Sequence, residues 1–183
     1  MAEEIVHGIP SPKIVIGVFS TLRDAEVAVV HLEQMGLSTD EISVISSSDV
    51  VKQYFHAYRP DAEPSDWKAA AVTGGSAGAV LAGLTSVTAL ATGAGIPVVV
   101  AGGLASLLTG GVVGGLAGAM VERGFETEAA DYYELAVADG RTLIAVDLTD
   151  RNDEAKLRPQ INQIFTTAGV EPVELRKAPD LSS

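Results

Sequence analysis

In the first fifty residues the apolar positions follow two patterns, one typical of strands and one typical of a helix. Residues 13–20 (KIVIGVFS) are apolar and β-branched, which predicts a strand. Thr21 is placed to cap a helix, with Asp24 three residues later, and apolar residues then recur at helical spacing. Gly36 predicts the end of that helix, and residues 42–46 (ISVIS) predict a second strand. This segment is therefore predicted to form one βαβ unit.

The C-terminal part of the chain repeats this plan. Residues 141–148 (RTLIAVDL) predict a strand, and residues 171–176 (EPVELR) predict another. Between them, residues 153–168 predict a helix that ends at Gly169, with Pro159 favouring a kink or a later helix start. Two βαβ halves of this kind predict an α+β fold: a ferredoxin-like, four-stranded sheet with both helices on one face.

A long insertion separates the two halves, and its centre carries no charge. Residues 69–121 form an uncharged run of 53 positions that holds 13 of the 19 glycines. The apolar pattern predicts a helix over residues 67–92 and, after a glycine-containing turn, a second helix from Pro97 to Arg123 that ends at Gly124. A third helix is predicted over residues 127–139 and ends at Gly140. We therefore predict a glycine-rich, antiparallel helical hairpin inserted between the two halves of the sheet.

These elements divide the chain into five parts. The parts are a flexible arm (1–12), the first βαβ half with a polar, aromatic-containing connector (13–64), the helical hairpin (65–124), a helix with the second βαβ half (125–176) and a tail (177–183). A length of 183 residues suits one domain, or one domain with an insertion. Such a length can bury a substantial core without crosslinks.

The glycines of the insertion recur at four-residue steps. Glycine costs about 1 kcal/mol relative to alanine inside a helix, so this density needs a compensating interaction. Residues four apart share a helix face, and a face without side chains lets another helix backbone approach closely. We therefore predict a helix-packing interface formed by Gly74, Gly75, Gly78, Gly83, Gly110, Gly111, Gly114, Gly115 and Gly118. The pattern leaves open whether the partner helix belongs to the same hairpin or to another chain.

Two environments would suit the predicted hairpin. Helices of this length can cross a hydrocarbon core of about 30 Å, and long uncharged runs are typical of bilayer segments. The hydroxyl residues of the first helix, which make it only weakly apolar, suit instead a soluble homo-oligomer whose hairpins share a core. The N-terminus is acidic and lacks an apolar region, so we expect no secretory signal there. We expect a location at the cytoplasmic face of the membrane, with a soluble cytoplasmic protein as the alternative.

Charge and composition exclude several classes of function. The 24 acidic and 12 basic residues give a net charge of −12, and no basic stripe is present to bind nucleic acid. The absence of cysteine excludes disulfides, thiolate metal sites and cysteine nucleophiles. His7, His31 and His56 lack ligand spacing, and Ser46 lies in no nucleophile elbow. No lysine follows the glycine pairs, as a phosphate loop requires. We therefore expect no cofactor, no metal and no enzymatic activity.

Two stretches of the sequence resemble the halves of one bacterial family. Residues 15–46 (VIGVFSTLRDAEVAVVHLEQMGLSTDEISVIS) and residues 124–148 (GFETEAADYYELAVADGRTLIAVDL) flank the glycine-rich centre. Together they resemble the bacterial heat-induced general stress protein family, and the resemblance covers most of residues 13–148. Its motifs are structural rather than catalytic, and it implies a stress-associated protein. We expect self-association into a homo-oligomer, with membrane lipid as a further partner.

Overall fold

The computed structural model describes residues 13–58, 87–103, 105 and 115–171, which form a mixed α+β fold. The strands are β1 (Ile14–Phe19), β2 (Ile42–Ser47), β3 (Val87–Ala91), β4 (Pro97–Gly102), β5 (Thr142–Asp147) and β6 (Val170–Glu171). The helices are α1 (Leu22–Gln34), α2 (Ser48–Tyr58), α3 (Gly115–Glu122), α4 (Thr127–Ala138) and α5 (Glu154–Thr167). The predicted arm and tail lie outside the described residues.

The strands form one antiparallel sheet in the order β3-β4-β2-β5-β1-β6. At its centre β1 pairs with β5, from Ile14 opposite Asp147 to Phe19 opposite Thr142. On the other side of β5 lies β2, which in turn pairs with β4. The four strands β2-β5-β1-β6 come from the two predicted βαβ halves, so strands of the two halves interleave. The remaining two, β3 and β4, come from the insertion.

Local signals in the two halves place the helices as the sequence predicts. The Asp24 amide donates to the Thr21 hydroxyl over 3.1 Å, which caps α1. Helices α1, α3, α4 and α5 are each followed by a glycine with positive φ, and these are the predicted Gly36, Gly124, Gly140 and Gly169. A left-handed residue at this place stops the helix, and glycine adopts it without steric cost.

Helix α5 begins at Glu154 and runs through Pro159, so the predicted helix over residues 153–168 is confirmed and the alternative of a later start is wrong. Proline removes one backbone hydrogen bond from the helix. This loss of stability is opposed by the apolar residues that α5 buries against the sheet, which include Leu157 and Ile161. An Arg158–Glu154 ion pair of 2.7 Å spans the same turn. Packing of this apolar face outweighs the missing hydrogen bond.

The predicted helical hairpin is wrong over residues 87–102, which form the β-hairpin β3–β4. The turn lies where predicted, and in it the Thr92 amide donates to the Ile96 carbonyl over 2.9 Å while Gly95 has a φ of +80°. Residues 98–100 are three consecutive valines, whose β-branched side chains favour strands. Because β4 lies between β3 and β2 and is buried on both faces, its pattern is continuously apolar and cannot be told from a buried helix by periodicity.

The predicted connector begins with a helix, α2, which was not predicted from the sequence. The Ser47 hydroxyl accepts the Val50 amide at the start of this helix. Val51 of this helix is fully buried, and the Tyr54 hydroxyl donates to the Glu26 carboxylate on α1. Helix α2 therefore packs beside α1 on the sheet. The predicted second hairpin helix is helical at residues 103 and 105 and in α3, and residues 104 and 106–114 lie outside the described residues.

Helices cover both faces of the sheet. The first face is covered by α1 and α5, as predicted, and also by α2. The second face is covered by α3 and α4. On the second face the strands contribute Ile14, Val18, Ile45, Val98, Val100, Leu143 and Ala145. The segment from the insertion thus extends the sheet with β3 and β4 and, through α3, covers a face that the predicted two-layer fold leaves open.

Candidate functional site

Most of the predicted packing glycines lie outside the described residues. These are Gly74, Gly75, Gly78, Gly83, Gly110, Gly111 and Gly114. The structure describes the last two members of the series, Gly115 and Gly118, and both lie half-buried in α3. Helix α3 buries Leu116, Ala117, Ala119 and Met120, and it packs beside α4 on the second face of the sheet.

Gly115 brings the first turn of α3 against the β3–β4 turn. A Cβ atom built at this position would lie 2.7 Å from the Gly93 amide nitrogen and 2.8 Å from the Ala91 carbonyl oxygen. Its φ of +71° is also a conformation that glycine adopts more readily than other residues. The absence of a side chain therefore serves a close approach of two backbone segments of the same chain.

Glu134 joins the same two segments from the neighbouring helix α4. One carboxylate oxygen, Oε1, accepts the Gly93 amide over 2.8 Å, and the other, Oε2, accepts the Ala117 amide over 2.8 Å. Ala117 lies in the first turn of α3, where amides have no partner within the helix and a negative charge is favourable. The Glu134 side chain thus bridges the β3–β4 turn and the start of α3.

The next close approach follows the end of β4, at Gly102 and Gly103. A Cβ atom at Gly103 would lie 1.7 Å from the Asp40 carbonyl oxygen, and one at Gly102 would lie 2.0 Å from the Ile42 carbonyl oxygen. The two glycines let the chain leave β4 across the start of β2. These two glycines were not among the predicted packing glycines, although a glycine pair at the end of an apolar, valine-rich segment is a signal of close backbone approach.

The two edge strands of the described sheet differ in charge. At one end, β6 is described as two residues, and Glu171 makes a 3.1 Å ion pair with Arg141 and accepts the Ser20 hydroxyl over 2.5 Å. At the other end, β3 has five residues without a charge, and its last residue, Ala91, is exposed. Among the described residues, β3 pairs with β4 alone. Charged edge strands resist further pairing, whereas uncharged ones allow it.

An aromatic cluster packs against the apolar residues of the second face. Tyr133 packs edge-on against Phe125, with ring centroids 6.4 Å apart, and against Tyr132 at 5.7 Å. Burial raises the pKa of the Tyr133 phenol, and the neighbouring Tyr132 raises it further. The neutral phenol is therefore favoured in the folded chain.

The residue types considered for catalysis have structural contacts where the structure describes them. His31 lies on the surface of α1 with Nδ1 2.8 Å from the Val27 carbonyl oxygen. Ser46 is buried with its hydroxyl 3.1 Å from that of Thr142 on the adjacent strand. His7 lies outside the described residues, and the backbone of His56 belongs to α2. Within the described ranges, no three His, Asp or Glu side chains are grouped to hold a metal ion.

In the part of the chain that the structure describes, no helix has both the length and the apolar composition needed to cross a bilayer.

Comparison of the chain with protein-family models, with curated proteins and with solved structures gives no match.

Proposed function

We propose that this chain is a non-enzymatic, stress-associated protein that acts by self-association through its glycine-rich insertion. The observation that carries the proposal is strand β3, which is uncharged and lies at the edge of the sheet that the described residues form. The stress role rests on the family resemblance of residues 15–46 and 124–148. Self-association rests on the edge strand and on the lack of charge in the surrounding run of residues.

The proposal includes a ferredoxin-like core made of the two βαβ halves. Its support is the order β2-β5-β1-β6, in which the first strand of the second half lies between the two strands of the first half. In such a core the second and third strands are ordinarily joined by a short connection. Here the glycine-rich insertion takes the place of that connection, and its β-hairpin continues the sheet beyond β2.

Pairing between two copies of β3 would be symmetric. An edge strand presents unpaired backbone amides and carbonyls, and an antiparallel pair of identical strands satisfies them in both copies at once. Because β3 has no charged residue, the pairing brings no like charges together. The opposite end of the sheet, with Glu171 and Arg141, lacks this property.

The experiment measures the mass of the particle in solution by light scattering across a range of protein concentrations. We expect the wild-type chain to exceed the monomer mass and Ala89→Lys, which puts like charges at the centre of the paired strands, to be a monomer. Ala94→Lys is the matched control, because it adds the same charge at an exposed position of the adjacent turn. A monomeric wild-type chain, or an unchanged oligomer in Ala89→Lys, would refute self-association through β3.

The proposed location is the cytoplasmic face of a membrane, with the cytoplasm as a second candidate. The uncharged run of residues 69–121 favours the first candidate. Flotation of the purified chain with phospholipid vesicles separates the two. Protein in the vesicle fraction supports packing at a membrane, and protein that stays in the dense fraction supports a cytoplasmic oligomer.

A further inference from the structure

We propose that Glu134 is a latch that couples the β3–β4 turn to helix α3, so that the two segments open from the second face of the sheet as one unit. This coupled opening occurs within one chain and does not require copies to associate. The two hydrogen bonds of Glu134 contribute to keeping an apolar sheet face covered.

The latch is formed by three contacts between segments distant in sequence. Glu134 holds Gly93 through one oxygen and Ala117 through the other, both at 2.8 Å. At Gly115 the backbone of α3 comes so close to the turn that no side chain fits between them. A movement of either segment alone would break one of the two hydrogen bonds and disturb this close approach. Because one carboxylate accepts both amides, withdrawal of the Glu134 side chain breaks both hydrogen bonds and frees the two segments together.

The cover that the latch holds is made mainly of small side chains. Helix α4 buries Ala129, Ala130 and Ala136 and one larger residue, Val137. Helix α3 buries two alanines with Leu116 and Met120. Because hydrophobic stabilisation scales with the apolar area removed from water, alanines hold a helix more weakly than leucines or isoleucines. A larger share of the stability of this layer therefore depends on the charged hydrogen bonds of Glu134.

Opening of this layer would expose an apolar surface. The strands beneath it contribute Ile45, Val98, Val100 and Leu143, which are buried in the closed state. Segments that open at low free energy are the usual sites of regulated exposure in proteins. The latch would therefore set the fraction of molecules in which the second face is accessible.

The test is hydrogen exchange measured by mass spectrometry on wild-type and Glu134→Gln chains. Glutamine has the same size, but it lacks the charge and can accept only one of the two amides through its single carbonyl oxygen. We expect exchange in residues 92–96 and in α3 to accelerate by about tenfold, as for loss of a hydrogen bond to a charged group. Exchange in α1 and α5 should not change. Glu128→Gln, an exposed position on the same helix, is the matched control and should exchange as the wild type does.

A second variant distinguishes a latch from two independent hydrogen bonds. Thr92→Val loosens the turn, because the Thr92 hydroxyl accepts the Ile96 amide over 3.0 Å. With Glu134 present, this change should also accelerate exchange in α3, and in the Glu134→Gln background it should have no further effect there. Equal acceleration in both backgrounds, or acceleration of only one segment in Glu134→Gln, overturns the proposal. If Glu134→Gln does not fold, the wild type alone decides the question: the two segments must open with the same free energy in a denaturant series.

Discussion

The two faces of the sheet are covered by helices of different composition. On the first face α5 buries Leu157, Ile161 and Phe165, and α1 buries two leucines, a valine and two alanines. On the second face α4 buries three alanines and Val137. Larger side chains remove more apolar area from water, so the first layer is held mainly by the hydrophobic effect. The second layer is held to a greater degree by close backbone approach and by Glu134.

The difference follows from the origin of the two layers in the chain. Helices α1 and α5 belong to the two βαβ halves, whose helical periodicity is plain in the sequence. Helix α3 belongs to the uncharged glycine-rich run, where glycine and alanine permit close approach but supply little apolar area. We therefore expect the sheet to be covered on one face by strong packing and on the other by a layer that opens more readily.

The largest expected effect is at the junction where the insertion leaves the sheet. Gly103→Ala would place a Cβ atom 1.7 Å from the Asp40 carbonyl oxygen, a contact that only a backbone shift can relieve. We expect the free energy of unfolding to fall by more than about 4 kcal/mol, in the range of the most damaging substitutions. Gly36→Ala is the control for backbone conformation alone: its Cβ meets open space at a φ of +95°, and its cost should be about 1–2 kcal/mol. Urea unfolding measures both, and equal costs would contradict the steric explanation.

The next effect tests the stronger packing of the first face. Phe165 is 2% exposed and packs edge-on against Phe19, with centroids 5.5 Å apart. Phe165→Ala should lower the free energy of unfolding by about 3–5 kcal/mol. Met120→Ala on the second face should cost about 2 kcal/mol, the lower end of the range for such changes. Calorimetry of the two variants checks the order, and a cost for Met120→Ala equal to that for Phe165→Ala would remove the difference between the faces.

A smaller effect tests whether the second face requires small side chains. Ala130 on α4 is completely buried between that helix and the sheet. Ala130→Leu should destabilise the chain by about 1–3 kcal/mol, because extra methylene groups strain a close-packed interface. Leu135→Ala, at a position 64% exposed on the same helix, should change stability by less than about 0.5 kcal/mol. A neutral Ala130→Leu would show that the layer has space to spare.

The smallest effect is a loss of stability at alkaline pH that arises from Tyr133 on the second face. Burial, and then Tyr132, raises the pKa of Tyr133, so the unfolded chain releases this proton before the folded chain does. Stability should therefore be unaffected by this group below its ordinary pKa of about 10 and should fall as the pH rises above it. Tyr133→Phe should reduce that fall, as measured by urea midpoints through the alkaline range. The same alkaline slope in both chains would contradict the expected role of Tyr133.

The two βαβ halves could be predicted from the sequence because each signal there is local. Thr21 and Asp24 cap α1 within one turn, and Gly36 and Gly169 end helices by their own backbone conformation. Helix periodicity distinguished α1 from the strands on either side of it. Boundaries of these elements agree with the structure to within one or two residues, apart from β6, of which two residues are described.

The insertion could not be predicted correctly because its structure depends on contacts that are not local in the sequence. Strand β4 is buried on both faces between two other strands, so Val98, Val99 and Val100 give no alternation of polar and apolar positions. Glu134 was also not identified, because its partners are backbone amides 41 and 17 residues away along the chain. Nothing in a glutamate on an amphipathic helix distinguishes such a carboxylate from a solvated one.

The unequal hold on the two faces is tested most directly by hydrogen exchange of the wild-type chain at increasing concentrations of denaturant. We predict that α3 and α4 lose protection through an opening of lower free energy than the one that releases α1 and α5. The two pairs of helices should therefore separate into two groups of amides before global unfolding. If all four helices lose protection together, at the free energy of global unfolding, the two faces are held equally and the difference drawn between them is wrong.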